Sequence, residues 1–377
     1  MTSPPKINRR DLMLAALGAG SPSIWAQGPS GSGTRTHTLA QIVDMSASQI
    51  DVSKDFLVGS RAAWKDINAR GGLRGSAVRH LVLEVDGSPA SVRAAVDTLK
   101  GQPQCLALFG TAGDRAASQV AGILHKELPD LAHIAPWLQS TDMDAGENTF
   151  PIFAPRVEQI SHAIKTLSVM GIPSLGAVYG SQGEFVAYHD SMEQIAAKLK
   201  VRMTSYGPTA DLKLLGRTMS PDSPRILLFL GGTPELVQFS QGIDKQAAQR
   251  YIVAMSDVNL QTMAQMGASK YASVVATQVV PMVNSNLPIV KTYRETLGRL
   301  YDEPPTPHSL AGFMAARYTF EMLQGVDGSL NRASTLQAMQ KRSSLDLGGF
   351  RVALDSRSRS GTYVTQSMLS PDGRLVG

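Results

Sequence analysis

The sequence predicts an α/β protein made of two doubly wound parallel-sheet lobes. Three observations predict it. Short apolar or alternating runs recur along the chain, helical patterns separate them, and the whole alternation runs through twice with Gly and Pro at the joints. At 377 residues, 43% hydrophobic and 18% charged, the chain is long enough for two cores.

The elements follow in order. Residues 36–44 (THTLAQIVD) read as a strand. A helix follows with Phe56, Ser60, Ala63, Trp64 and Ile67 on one face, at spacings of three and four. Arg70-Gly71-Gly72 ends it, because glycine accepts the backbone conformation that closes a helix. VRHLVLEVD is the next strand and Pro89 opens the next helix. CLALFG, a helix over 114–126 and LAHIAP complete the first half. The second half begins with a helix over 156–170, the strand LGAVYG and a helix over 184–199. VRMTSYGP, a short helix, RILLFLGG and a helix opened by Pro234 come next. YIVAM and SVVATQVV are later strands, helices cover 288–301, 307–324 and 332–341, and GGFRVALD and TYVTQSML close the chain as strands. Ligands of such sheets sit beyond the carboxyl ends of the strands, so a cleft between the lobes is the natural site.

Residues 1–26 read as an export signal rather than as structure. Lys6, Arg9 and Arg10 form a basic start, Leu12–Ala19 a short apolar core, and Ala26 offers a small residue before a cut. NRRDLM resembles a twin-arginine signal, although Asn8 and Asp11 fit it imperfectly, and a Sec route stays open. Residues 27–37 are rich in Gly, Ser and Thr and read as a linker. The expected location is the periplasm, without membrane insertion, since no apolar run approaches the roughly 20 residues that span a bilayer. The one cysteine, Cys105, lies inside an apolar run and reads as a small buried hydrophobe. The formal charge of +5 includes a net +2 from Lys6, Arg9, Arg10 and Asp11, leaving +3 scattered among acids. Without a basic block or aromatic-basic interleaving, nucleic acid is not an expected partner.

Catalytic and cofactor motifs are not legible. Tyr179-Gly180-Ser181-Gln182-Gly183 has tyrosine where a nucleophile elbow needs its first glycine. The seven histidines show no metal-ligand spacing, and His125 and His133 read as surface residues. No enzyme, cofactor or metal is expected. The stretch LFGTAGDRAASQVAGIL, residues 108–124, joins a strand to a helix start through a Gly-rich turn, where backbone N–H groups point at an anion. It is neither a Walker A loop nor a dinucleotide fingerprint, and Asp114 would repel a pyrophosphate. A single carboxylate of a small ligand suits it better.

Several stretches together resemble the type I periplasmic substrate-binding proteins of ABC transporters, in the branch of the leucine/isoleucine/valine-binding proteins. Asn68-Ala69-Arg70-Gly71-Gly72-Leu73-Arg74-Gly75 matches that family's N-x-x-G-G-[VIL]-x-G turn. LVLEVDGSPASVRAAVDTL, CLALFGTAGDRAA, HSLAGFMAARYTFEML and LDLGGFRVALD match later elements, so the resemblance runs from about 38 to 370. It implies the type I periplasmic binding fold, with two lobes joined by a three-crossing hinge near Phe150–Pro155, Val279–Val283 and Leu347–Phe350. Lobe 1 would then hold 38–152 and 283–346, and lobe 2 would hold 153–282 and 347–377.

The resemblance also implies a ligand site. Thr111, Ala112, Gly113 and Asp114 would line it, with Asp114 binding a ligand cation or capping its own helix. Trp137, Gln139 and Ser140 stand on the loop after the fourth strand, where Trp137 walls an apolar pocket or belongs to the core. Tyr179, Glu184 and Phe185 fall where relatives place a ligand-covering aromatic. Asp257 stands where amino-acid binders carry an acid for the ligand ammonium, with a helix cap as the alternative. Ala47–Ser53 lacks the glycines and proline that the family often shows there. The implied function is capture of a small carboxylate ligand for an inner-membrane ABC permease, aliphatic amino acids first and aromatic or other organic acids second. The alternative is a ligand sensor or regulator on the same fold.

Overall fold

Two parallel sheets carry the chain, and the second repeats the strand order of the first. The computed structural model describes residues 36–140, 146–243, 249–268, 273–341, 344–353, 361–369 and 375–377. The export signal expected over 1–26 and all but the last two linker residues lie outside these. β1 (Thr36–Asp44), α1 (Ile50–Ala69), β2 (Ala77–Val85), α2 (Pro89–Lys100), β3 (Cys105–Phe109), α3 (Asp114–Glu127), β4 (Ala132–Ile134) and β5 (Thr149–Phe150) form the first sheet and its early helices. Its order is β2-β1-β3-β4-β5, all parallel.

α4 (Arg156–Val169), β6 (Ser174–Tyr179), α5 (Gln182–Lys198), β7 (Arg202–Tyr206), α6 (Leu212–Thr218), β8 (Ile226–Leu230), α7 (Thr233–Ile243), β9 (Tyr251–Ala254), α8 (Leu260–Gln265) and β10 (Ser273–Gln278) build the second. The parallel order β7-β6-β8-β9-β10 matches the first sheet position for position. α9 (Pro288–Leu300), α10 (Pro307–Gln324) and α11 (Arg332–Gln340) return to the first lobe, where α10 lies along α1. β11 (Leu345–Asp346) and β12 (Arg351–Val352) make a small hairpin. β13 (Thr365–Leu369) and β14 (Leu375–Val376) then extend the second sheet antiparallel beyond β10.

Local chemistry explains the boundaries. Ser88 caps α2 by accepting from the Ser91 N–H at 3.2 Å, with Pro89 at the first helical position. Thr306 and Ser309 form a reciprocal capping box at α10. Gly72 has φ +72°, and a Cβ there would stand 2.1 Å from the Ser76 carbonyl oxygen, so the turn after α1 requires glycine.

In β1, Leu39 and Val43 pack toward α1 and α10, whereas Ala40 and Ile42 pack toward α2 and α3. Both faces of the sheet are therefore dry. Cys105 is buried on the second face, and burial pushes its thiol pKa up. α1 and α10 touch backbone to backbone. A Cβ on Gly59 would stand 1.7 Å from the Ser309 oxygen, and one on Gly312 would stand 1.8 Å from the Phe56 oxygen. The chain leaves the first sheet after Phe150 and returns to the first lobe after Gln278. Leu347–Phe350 forms the turn of the β11–β12 hairpin, which packs on Leu287 and Pro288. The last transfer to the second sheet runs between Val352 and Thr365, and 354–360 of it lie outside the described residues.

Candidate functional site

The equal strand orders give each sheet a switch point. One lies between the ends of β1 and β3, the other between the ends of β6 and β8. A groove of about 440 Å³ opens beside them. It is lined from the first lobe by Asp114, Ser118, Gln119 and Ser140, and from the second by Glu184 and Tyr188. Arg156, the first residue of α4, lies at its floor and is almost entirely buried.

Arg156 donates from Nη1 to Glu184 Oε2 and from Nη2 to Asp257 Oδ2. The guanidinium also lies over the Tyr188 ring, 5.1 Å from its centroid. The other oxygen of Asp257 accepts the Trp137 indole N–H at 3.0 Å. Trp137 itself is enclosed by the rings of Phe56, Phe153 and His308. Burial opposes the charge on Arg156, but the carboxylates of Asp257 and Glu184 outweigh it and raise its pKa above the ordinary value.

Asp114 differs from Asp257 in its partners. One oxygen accepts the backbone N–H of Gln139 at 2.7 Å and that of Ser140 at 3.3 Å. Burial pushes its carboxyl pKa up to about 6, against the pull of Arg156 and with help from the charges of Asp257 and Glu184. Its helix α3 follows Gly113, which offers no side-chain cap. Behind the groove, Gln159 Nε2 donates to Gln139 Oε1 at 2.5 Å, and Gln159 Oε1 accepts from Thr277 Oγ1 at 2.7 Å and Ser256 N at 2.9 Å. This buried network joins the loop after β4 to the ends of β9 and β10.

Residues 36–369 match the sequence model of a family described as periplasmic binding proteins. The chain belongs to that family. Among curated proteins, no sequence match was found. Its fold is shared with many solved structures. An extracellular ligand-binding receptor from Verminephrobacter eiseniae superposes with a TM-score of 0.81 at 18% identity, over 91% of this chain and 100% of that one. The branched-chain amino acid transporter substrate-binding protein LivJ from Streptococcus pneumoniae, in complex with isoleucine, gives 0.77 at 13% identity, over 91% and 98%. A solute-binding protein of an ABC transporter from Rhodopseudomonas palustris, in complex with p-hydroxybenzoic acid, gives 0.76 at 16% identity, over 91% and 95%. These likenesses identify the type I periplasmic binding fold.

In this periplasmic binding protein, the structure brings together Asp114, Trp137, Gln139, Ser140, Glu184 and Asp257. Asp114 caps nothing in its own helix, because its carboxylate reaches the loop after β4. Asp257 is no cap either, since Asn259 caps α8. Trp137 is core rather than an open pocket wall.

Other expected positions lie apart from the groove. Thr111 is buried, with its hydroxyl 2.8 Å from His133 Nε2, and Ala112 is buried beside it. Gly113 stands against Asp44, so a Cβ there would lie 2.6 Å from the Asp44 Cβ. Tyr179 points into the second lobe's core, with its hydroxyl 3.2 Å from His189 Nδ1, and Phe185 stacks on that histidine at 4.6 Å. The aromatic in the groove is Tyr188, one turn beyond Glu184. His133 is a correction: it is fully buried rather than a surface residue, because β4 lies between β3 and β5, and burial lowers its pKa to about 3. Ser181 caps α5 through the Glu184 N–H. Among the described residues, no group of three or more His, Cys, Asp or Glu could hold a metal, and no helix is long and apolar enough to cross a membrane.

Proposed function

We propose that this chain is the solute-binding component of an ABC importer and that its ligand is a small zwitterion, with aliphatic amino acids as the favoured class. Charge balance at the groove carries the reading. Asp114, Glu184 and Asp257 set three carboxylates against two guanidinium groups, the buried Arg156 and the exposed Arg115 on the rim. Burial raises the pKa of Asp114 and the charges of Asp257 and Glu184 add to the rise, so a ligand ammonium beside it would favour the charged carboxylate. The uncapped first turn of α3 and the exposed Arg115 on the rim supply donors for the ligand carboxylate. Ala187 and the Tyr188 ring supply apolar contact. The volume falls within the usual range for small-molecule sites. The isoleucine held by the Streptococcus pneumoniae protein on the same fold supports this class.

The partner is an inner-membrane permease. The compartment is the periplasm, reached through the N-terminal segment by a twin-arginine or Sec route with cleavage near Ala26. Closure on the ligand would follow its preference for the closed state, with no bond broken.

One observation favours a second reading, an organic acid without an amino group. Trp137 and Arg156 already take both oxygens of Asp257, the acid that the family resemblance assigns to an ammonium. The Rhodopseudomonas palustris protein holds p-hydroxybenzoic acid on the same fold.

A thermal-shift screen of residues 27–377 tests both. Leucine, isoleucine and valine are compared with isovalerate and p-hydroxybenzoate. A ligand at a hundred times its Kd adds about 2.7 kcal/mol of stability, a rise of several degrees. A rise with the amino acids that Asp114→Asn removes supports the first reading. A rise only with the deaminated acids supports the second. No rise across a broad amino-acid and organic-acid panel would sink the transport assignment.

A further inference from the structure

Two acids one turn apart on α1 leave the first lobe and end on the second. Asp51 Oδ2 accepts the hydroxyl of Thr233, the first residue of α7, at 2.6 Å. Asp55 Oδ2 accepts from Asn259 Nδ2 at 2.9 Å. The two receiving residues are themselves joined, because the Asn259 N–H donates to Thr233 Oγ1 at 3.0 Å. Thr233 is fully buried and Asn259 nearly so. The i, i+4 spacing puts both carboxylates on one face of α1, so they engage together. Beside them, His308 Nε2 lies 2.7 Å from the Ser256 carbonyl oxygen, a second link from the first lobe to the same segment of the second. Neither acid lines the groove between α3 and α5.

We propose that Asp51 and Asp55 form a latch that sets the balance between open and closed cleft independently of ligand contacts. Their bonds to Thr233 and Asn259 run from one lobe to the other, so parting the lobes here would break them and they bias the equilibrium toward closure. A ligand then has to supply only the remainder of the differential free energy. The hydroxyl and amide that they engage are buried in this structure, so losing either acid leaves a donor without its partner and weakens closure further. Lobe 2 answers with residues at the starts of α7 and α8, which fixes where the jaws register.

The test needs no ligand, so its outcome is separate from the identity of the transported solute. Spin labels on Lys126→Cys in α3 and Gln194→Cys in α5, both exposed positions, report the interlobe distance by pulsed electron resonance, with buried Cys105 left in place. In the otherwise unaltered protein a short-distance population is expected. Asp51→Ala with Asp55→Ala should lower the closed-to-open ratio at least tenfold. Thr233→Val removes one of the same bonds from the opposite lobe and should lower it about threefold, which keeps the test open if the double variant fails to fold. A ratio unchanged within experimental error in the variants that fold would overturn the latch. So would a starting protein found wholly open.

Discussion

Asp257 and Asp114 are two acids of one cleft with opposite circumstances. Asp257, at the inner end, spends both oxygens on the protein itself, on the Trp137 indole and the Arg156 guanidinium. Asp114, at the mouth, spends one oxygen on two backbone N–H groups and lines the open groove. An acid matched internally is part of the scaffold, whereas an acid whose charge is left uncompensated is available to select what enters. Position in the family pattern alone would have ranked Asp257 first. The partners reverse that order.

The contrast can be broken most forcefully at Arg156. Arg156→Met leaves the carboxylate of Asp257 buried against an apolar stem and should destabilise the fold by about 3–5 kcal/mol, read from urea denaturation. Adding Asp257→Asn should restore a large part of the loss. A stable single variant would mean that the inner end is not held together by this ion pair. A smaller effect is expected from Trp137→Phe, which keeps an aromatic ring against Phe56 and Phe153 but removes the indole donor, at about 1–3 kcal/mol.

Asp114→Asn should show the smallest effect on stability and the clearest on pH dependence. The folded pKa of Asp114 is raised above its unfolded value, so the native state takes up a proton that the unfolded chain does not between about pH 6 and pH 4. Its contribution therefore rises as pH falls through that window. His80 and His133, both lowered to about 3 by burial, pull the other way below their unfolded pKa. The quantity to read is thus the difference between wild type and Asp114→Asn, about 1 kcal/mol after solvent screening. Binding carries a sharper sign. Calorimetry from pH 7.5 to pH 5 should show an ammonium ligand weakening as Asp114 protonates and an acid without an amino group strengthening.

Much of the fold was legible because its signals are local. Buried strands such as CLALF, the helix start at Pro89 and the Gly71-Gly72 stop each follow from the chain's own few residues. The site was legible only where it sits on such joints. Asp114 follows a strand–glycine turn and Asp257 follows β9, so both could be named. Arg156 was missed, although a cation in the first turn of a helix opposes the helix dipole and is itself a signal that acids lie nearby. Tyr188 is not legible in the sequence because the family pattern points to Tyr179 and Phe185. Tyr179 ends β6, which lies between β7 and β8, and turns into the core. Glu184 and Tyr188 are four apart and share a helix face, a relation that becomes informative once Glu184 is known to face the cleft. His133 shows the converse, a polar residue hidden because its strand is interior.

The glycine pair at 59 and 312 has a mechanical consequence. With no side chain between them, the middle of α1 and the first turns of α10 are clamped together by backbone touching backbone, so that the two behave as one beam. Asp51 and Asp55 project from one end of that beam, and His308 from the neighbouring tip. A closing rotation of the first lobe would therefore deliver all three to the opposite lobe in a single stroke. A methyl group at either glycine would pry the beam apart beside its tip and throw that tip out of alignment.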